Sequence, residues 1–310
     1  MNILIISQYY YPEHFLINDI APELVKRGNS VTVLTGLPNY PKGKIAKEYK
    51  WFRKRREVIE GVKVIRCFEI GRRNSRLFLT LNYLSFAFSA SIKVLFLRKE
   101  FDVVFCYQLS PITMAFPAIV YKKCANVRML LYCLDIFPES IKSHIKSEKN
   151  IIYKMSALVS RYIYNNCDYI LVSSKPFINY LHEINNVPKE KMSYLPQHAD
   201  DRFLNDNLSV QNNNVVDFLF AGNIGYGQNI ECIVNAVEII QGIKNFVVHI
   251  VGDGSRLEYI KKMVIEKKLS HKFFFYGRIP FYEMDKFYKL ADACLLPLRG
   301  NNYVSNTIPG

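Results

Sequence analysis

Apolar runs of strand length alternate with amphipathic stretches of helical length from one end of this 310-residue chain to the other, and few folds accommodate that rhythm. The strand-like runs begin at Asn2, Ser30, Val62, Asp102, Arg128 and Tyr169. Helix-like stretches lie near residues 15–27, 77–98, 111–123, 149–166 and 175–185. Near-continuous apolar strands separated by helices predict a parallel sheet covered on both faces. A polar, Asn-rich passage from Gln197 to Asn214 interrupts the rhythm and reads as a linker. The rhythm then restarts, with strands near 215–221, 246–251, 272–276 and 292–296 and helices near 227–240, 255–268 and 281–290. The predicted organisation is two doubly wound α/β domains, residues 1–197 and 215–310, joined by a linker over 198–214. The second sheet is expected to be incomplete when the sequence reaches Gly310. In such sheets ligands bind outside the carboxyl ends of the strands, so two of them facing each other would put a site in the cleft between.

Two domains suit the length, at roughly 100–200 residues each. Half of the residues are apolar, which excludes a disordered chain. The seven cysteines are odd in number and include no C-x-x-C pair. Cys67, Cys106, Cys133 and Cys294 fall in apolar runs and are expected as reduced core residues. The six histidines are scattered without ligand spacing, so neither a metal nor a cofactor is expected. The opening Met1-Asn-Ile-Leu-Ile-Ile has no basic region ahead of its apolar run, which predicts no signal peptide and a cytoplasmic location.

The formal charge of +14 is concentrated early. Between Lys42 and Arg76 there are 13 basic side chains against four acidic ones. Such a block is drawn to an anionic surface, although a solvated basic loop has the same composition. The segment that follows, Leu77 to Leu97, has 21 residues and one charge, Lys93. Its length suits a membrane span, but Asn82, Ser85, Ser89, Ser91 and Lys93 interrupt it. A helix half buried in its domain and half pressed into lipid headgroups fits these residues. An ordinary core helix fits them as well. Nucleic acid is not expected as a partner, because stacking aromatics are not interleaved with the basic residues.

Several strand-end loops carry candidate chemistry. Phe218-Leu-Phe-Ala-Gly-Asn-Ile-Gly-Tyr-Gly-Gln228 is a strand, a Gly-rich turn and a helix start, where backbone N–H groups could meet phosphate oxygens. A tight strand-to-helix connection would also use those glycines, and the spacing is not G-x-G-x-x-G. Ile250-Val-Gly-Asp-Gly254 reads as a helix entry with Asp253 near the N-cap. Arg278, after the next strand, is placed either to pair with a diphosphate or as a surface charge. In the first domain, Ser7-Gln-Tyr-Tyr-Tyr-Pro-Glu13 and Thr35-Gly-Leu-Pro-Asn-Tyr40 are loops suited to stacking on sugar rings. Leu134-Asp-Ile-Phe-Pro-Glu139 puts Asp135 and Glu139 at the same sheet edge, where a carboxylate could act on a hydroxyl; helix capping is the other use for Asp135. His198 is expected to be structural.

Taken together, ILIISQYYYPE, HFLINDIAPELVKRGNSVTVLTGLPNYPKG, LDIFPES, FAGNIGYGQ, VGDG, FYGRIP and ADACLLPL make the chain resemble the retaining nucleotide-sugar glycosyltransferases of family 4, with the GT-B fold. The resemblance is to the WbuB-like subgroup that assembles bacterial O-antigen, capsule and colanic acid, and it runs through nearly the whole chain. It implies transfer of a hexosyl or N-acetylaminosugar unit from a UDP- or GDP-sugar to a saccharide on a polyprenyl diphosphate, at the cytoplasmic face of the inner membrane. It further implies donor contacts at Gly222, Asn223, Gly225, Gln228 and Arg278. Acceptor contacts would fall on Tyr9, Tyr10, Glu13, Asn39 and Tyr40, and catalytic carboxylates on Asp135 and Glu139. Leu134 stands where many members carry His, and Asn223 and Gln228 stand where many carry Arg and Lys. The Ser305-Asn-Thr-Ile-Pro-Gly310 stretch begins a pattern that continues in the family into a Glu-bearing ribose and sugar site. A second reading is a non-catalytic remnant that binds acceptor lipid or a partner.

Overall fold

The computed structural model describes residues 1–40, 43–51, 53–73, 75–139, 150–199, 214–243 and 245–298, the Arg76 side chain excepted. Most of the expected linker (200–213) and the Ser305–Gly310 stretch lie outside the described residues. The chain forms two compact units, one over Met1–His198 and one within Ala199–Ser305.

The first unit contains the strands β1 (Asn2–Ile6), β2 (Ser30–Thr35), β3 (Arg56–Ile59), β4 (Val62–Arg66), β5 (Val103–Gln108), β6 (Arg128–Cys133), β7 (Tyr169–Val172) and β8 (Met192–Tyr194). They form one sheet in the order β3-β4-β2-β1-β5-β6-β7-β8. Every pairing is parallel except that of β3 with β4. Helices α1 (Ile17–Lys26), α2 (Arg76–Leu95), α3 (Phe116–Ala125), α4 (Ile151–Asn166) and α5 (Pro176–Asn185) make the crossovers. Strand order reverses direction about β1, which gathers the loops after β1, β2, β4, β5 and β6 at one sheet edge. The core on one face joins Ile3, Ile5, Val31, Val33, Val62 and Val64 to Ile17 and Ala21 of α1. Gly28, at φ 83°, ends the turn after α1 where an L side chain would be strained. His198 lies 3.2 Å from Asp19 of α1.

Sequence periodicity missed β3, which emerges from the basic block. Glu60 and Gly61 both have positive φ, and they fold Ile59 back onto Val62 as a two-residue hairpin. The charged side chains that obscured the strand suit its edge position, where they discourage pairing with another chain.

Helix α2 resolves the ambiguity of its apolar sequence. Asn82, Phe86, Ala90 and Val94 are buried, whereas Leu77, Leu84, Phe88, Ile92 and Leu95 are exposed. The polar interruptions reach the β4–α2 connection. Asn82 Nδ2 donates to the Ile70 carbonyl at 2.7 Å, Ser85 Oγ accepts from the Ile70 N–H at 2.9 Å, and Ser89 Oγ donates to the Phe68 carbonyl. Residues Leu77–Leu95 are long and apolar enough to cross a membrane by length and composition. One face of the helix is nonetheless committed to the protein. Exposed apolar residues also line α4, at Ile151, Met155 and Leu158.

The second unit contains β9 (Val216–Ala221), β10 (Phe246–Val251), β11 (Phe273–Gly277) and β12 (Ala293–Cys294), ordered β11-β10-β9-β12 and all parallel. Helices α6 (Ile230–Ile240), α7 (Leu257–Glu266) and α8 (Asp285–Leu290) connect them. Phe220, Val248, Ile250 and Phe273 pack against Ile233, Val234 and Val237 of α6 and Ile260 and Val264 of α7. On the opposite face Leu219 and Val251 pack against Met284 and Phe287. There the His249 imidazole lies 2.7 Å from an Asp217 carboxylate oxygen and 2.8 Å from the Tyr276 hydroxyl, so this buried polar group is satisfied.

Two expectations are corrected here. Cys294 is exposed rather than in the core, because β12 is a two-residue strand at the edge of the described sheet. Asp253 does not cap α7; its carboxylate accepts the N–H of Gly254 at 2.7 Å, and Arg256 occupies the N-cap position.

Candidate functional site

The loops after β1, β2 and β4 of the first unit interlock through buried polar side chains. Glu13 accepts the backbone N–H groups of Asn39 at 2.6 Å and of Tyr40 at 2.5 Å through one oxygen. Burial pushes its carboxyl up to about 7, against the pull of those two N–H groups. Asn39 donates from Nδ2 to the Leu37 carbonyl and to Glu69, and its Oδ1 accepts the Arg72 N–H at 3.2 Å. Glu69 is fully buried and also accepts from Gln8 Nε2 at 3.1 Å. Burial raises its carboxyl well above the ordinary range. Gly36 makes room for it, since a Cβ there would lie 2.5 Å from Glu69 Oε2. Gln8 Nε2 also donates to Asn82 Oδ1 at 3.0 Å, which joins α2 to the network.

Above these polar groups sits an aromatic cluster. The Tyr9 ring stacks on Phe15 at 5.0 Å and lies 6.3 Å from Tyr40, which is exposed. The Arg72 guanidinium is 5.6 Å from the Tyr9 ring, 5.3 Å from Tyr40 and 5.7 Å from Tyr83, and it donates to the Tyr83 hydroxyl at 3.0 Å. Burial raises the Tyr83 phenol pKa, and the charge of Asp135, half-buried after β6, adds a smaller push in the same direction. The backbone carbonyl of Asp135 accepts Gln108 Nε2 at 2.9 Å, which fixes the segment.

Tyr9, Glu13, Asn39 and Tyr40 are therefore brought together, with Asp135 nearby. Two expected members are placed differently. Tyr10 is buried in the core with Ile5 and Ile17, whereas Tyr9, also buried, packs on Phe15 instead. Glu139 is buried and accepts the hydroxyls of Tyr153 and Tyr180, both at 2.8 Å, so it ties the β6 loop to α4 and α5. Gln8, Glu69, Arg72, Asn82 and Tyr83 were not singled out as site residues. Glu69 did carry a signal, as the acidic residue at a strand end inside a basic block.

In the second unit, three adjacent strand ends carry the expected donor residues. The Gly222 N–H donates to the Val251 carbonyl at 2.9 Å, and the Gly252 N–H donates to the Gly277 carbonyl at 2.8 Å. The Ile224 N–H donates to the Asp253 carbonyl at 2.9 Å, and the Arg256 N–H donates back to the Ile224 carbonyl at 3.0 Å. The glycine turn after β9 is thus locked onto the one after β10. A Cβ on Gly252 would lie 1.8 Å from the Gly222 oxygen, and one on Gly254 would lie 2.4 Å from the Ile224 oxygen. The Asn223 amide lies over both turns, 2.7 Å from where a Gly225 Cβ would stand and 2.8 Å from where a Gly254 Cβ would stand. Gln228 Oε1 flanks Gly225 from the other side at 3.0 Å. Arg278 follows β11, exposed and in no ion pair with a described residue. A 3-10 turn (Tyr226–Gln228) and left-handed Asn229 separate the glycine turn from α6, which begins two residues beyond Gln228. No group of three or more potential metal-ligating side chains occurs among the described residues.

Comparison with known proteins gives this geometry a family. A profile described as glycosyl transferases group 1 matches residues 202–300, and one described as glycosyltransferase family 4 matches residues 16–202. The second match alone spans more than half of the chain. The chain belongs to glycosyltransferase family 4. This family 4 chain is 26% identical over 246 residues to the probable glycosyltransferase WbjE of Pseudomonas aeruginosa, a match covering 75% of the chain and 60% of WbjE. Sucrose-phosphate synthase of Thermosynechococcus elongatus superposes with a TM-score of 0.70 at 16% identity, over 96% of this chain and 75% of that one. Anabaena HepE, solved in complex with UDP-glucose, gives 0.58 at 13% identity, over 90% and 70%. These likenesses establish the fold class as GT-B, with two Rossmann-like domains.

Proposed function

We propose that the protein transfers a hexosyl or N-acetylaminosugar unit from a UDP- or GDP-sugar to a polyprenyl-diphosphate-linked saccharide during assembly of a bacterial surface polysaccharide. The observation that carries this reading is the pair of interlocked glycine turns after β9 and β10. Their backbones approach so closely that no side chain fits at Gly252. Such turns at the carboxyl edge of a doubly wound sheet are suited to phosphate oxygens. The second unit would hold the nucleotide sugar at Gly222, Asn223, Gly225 and Gln228, with Arg278 supplying charge. The Gly222 and Ile224 N–H groups are taken by the neighbouring turn, so the charge developing on the leaving diphosphate would be met by the Asn223 and Gly225 N–H groups, the Asn223 side-chain amide and the Arg278 guanidinium. HepE in complex with UDP-glucose supports a nucleotide-sugar donor.

The first unit would hold the acceptor against the exposed Tyr40 ring and the Glu13–Asn39 floor, with the buried Tyr9 supporting Tyr40 from behind and Asp135 closest to the reacting hydroxyl. Retention of anomeric configuration and the WbuB-like assignment belong to this proposal. So does work at the inner face of the cytoplasmic membrane, which the basic block and the two-faced α2 support. The test is transfer of radiolabel from UDP- and GDP-sugars to lipid extracted from bacterial membranes. Label appearing in lipid with one nucleotide sugar is expected, and none with any of them would remove the activity.

A further inference from the structure

We propose that Arg72 is the anion-binding residue of the first unit, holding a diphosphate oxygen of the lipid-linked acceptor while the adjoining sugar stacks on Tyr40. The inference rests on the glycosyltransferase reading and adds to it a residue and a ligand chemistry.

Arg72 carries a charge that forms no ion pair among the described residues. A guanidinium is always ionised, and withdrawing it from water is unfavourable unless an anion compensates. Arg66, on the neighbouring strand, shows the compensated case. It is buried, lies 3.7 Å from the Glu57 carboxylate, donates to the Tyr11 carbonyl at 2.7 Å and stacks on Tyr49 at 4.7 Å. Arg72 is half-buried under three tyrosine rings, and no ion pair joins it to a described carboxylate. Glu13 and Glu69 feel the Arg72 charge but hydrogen-bond to other groups, Glu13 to the Asn39 and Tyr40 N–H groups and Glu69 to Gln8 and Asn39. Of the five N–H donors of a guanidinium, the one on Nη2 bonded to Tyr83 is the only one engaged among the described residues.

The same residues fix its position. The Arg72 backbone N–H is held by Asn39 Oδ1 at 3.2 Å, and the guanidinium is held among the three tyrosine rings by its hydrogen bond to the Tyr83 hydroxyl. A fork held in advance loses little entropy on binding, and it matches a phosphoryl group through paired hydrogen bonds. Tyr40 presents an exposed ring beside it, and Glu13 and Asn39 lie directly beneath. An oxyanion flanked by a carbohydrate is the ligand these groups recognise together. The apolar outer face of α2 begins a few residues further along the chain, where a lipid tail attached to that diphosphate would be accommodated.

Isothermal titration of the full chain with farnesyl diphosphate, inorganic pyrophosphate and UDP tests the assignment, using wild type, Arg72→Ala, Arg72→Lys and the exposed control Arg98→Ala. Farnesyl diphosphate and pyrophosphate are expected to bind at least tenfold more weakly to Arg72→Ala, with partial recovery in Arg72→Lys and no change in Arg98→Ala. UDP affinity is expected to be the same in all four. Equal weakening of UDP in Arg72→Ala would move the residue to the donor side and overturn the proposal. So would unchanged farnesyl diphosphate binding, or none to wild type. Retained UDP binding in those last two cases would leave the nucleotide-sugar reading standing. If Arg72→Ala does not fold, Arg72→Lys decides the matter, because it keeps the charge and loses the paired geometry. Wild-type affinity for farnesyl diphosphate in that variant would overturn the proposal.

Discussion

Gly252 and Gly222 approach each other so closely that a Cβ on the first would lie 1.8 Å from the carbonyl oxygen of the second. Gly252 also has φ 143°, a conformation that L side chains rarely adopt. Gly252→Ala must therefore push the two turns apart. It is expected to lower stability by about 2–4 kcal/mol in urea unfolding, and to weaken UDP binding under conditions where the variant remains folded. A variant as stable as wild type would show that the turns are not locked together.

Glu13 makes stability depend on pH in a predictable direction. Its carboxyl is raised from the usual range to about 7, chiefly by burial. The native state therefore holds a proton that the unfolded chain releases near pH 4.5. The associated stability is fully present below that pH and is lost as pH rises through 7. Glu13→Gln keeps an oxygen for the Asn39 and Tyr40 N–H groups and does not titrate. Urea unfolding is expected to show similar stability for variant and wild type near pH 4.5. At pH 8 the variant should be the more stable, by roughly 1–3 kcal/mol. A constant difference across the range would contradict the burial of this group.

Glu139 separates a structural carboxylate from a chemical one. Removing the acceptor of two tyrosine hydroxyls from a buried position should cost about 2–3 kcal/mol, so Glu139→Ala is expected to lower the unfolding midpoint clearly. Glu139→Gln retains an acceptor and is expected to keep most of the transfer rate, whereas Asp135→Asn should lose it. Comparable loss of rate in Glu139→Gln, with stability intact, would restore the carboxylate to the reaction.

The exposed apolar stripe of α2 should matter for lipid and not for folding. Burying a Leu or Phe side chain stabilises by about 1.5–3 kcal/mol, so the double variant Leu84→Ser, Phe88→Ser is expected to reduce affinity for phosphatidylglycerol vesicles at least tenfold. Its unfolding midpoint should barely change. Vesicle flotation that is indifferent to the double variant would place the membrane contact elsewhere.

The strands were legible where burial on two faces demanded unbroken apolar runs, as in Val103–Gln108 and Phe246–Val251. They were not legible where an edge position permits charge, as in Arg56–Ile59. In the site, the glycine turns stood out because few residues besides glycine tolerate such approach. Tyr9 and Tyr10 could not be told apart, since a loop has no period to say that Tyr9 packs on Phe15 and Tyr40 while Tyr10 enters the core. The hydroxyls that Glu139 accepts were not legible, because Tyr153 and Tyr180 lie on helices 14 and 41 residues away in sequence. Glu69 and Arg72 were hidden among other charges, and only the packing of three loops distinguishes them from solvated neighbours.

The hydrogen bond that Asn82 donates to the Ile70 carbonyl and the one that Ser85 accepts from the Ile70 N–H have a mechanical consequence. They couple the long helix rigidly to the strand-end segment that carries Glu69 and Arg72. Under the proposed membrane association, the depth at which the outer stripe of that helix settles would also set the height of the tyrosine cage above the lipid. Anchorage and substrate reach would then be one adjustable dimension, and a change in membrane thickness or headgroup packing would alter the stature at which the proposed lipid-borne sugar is met.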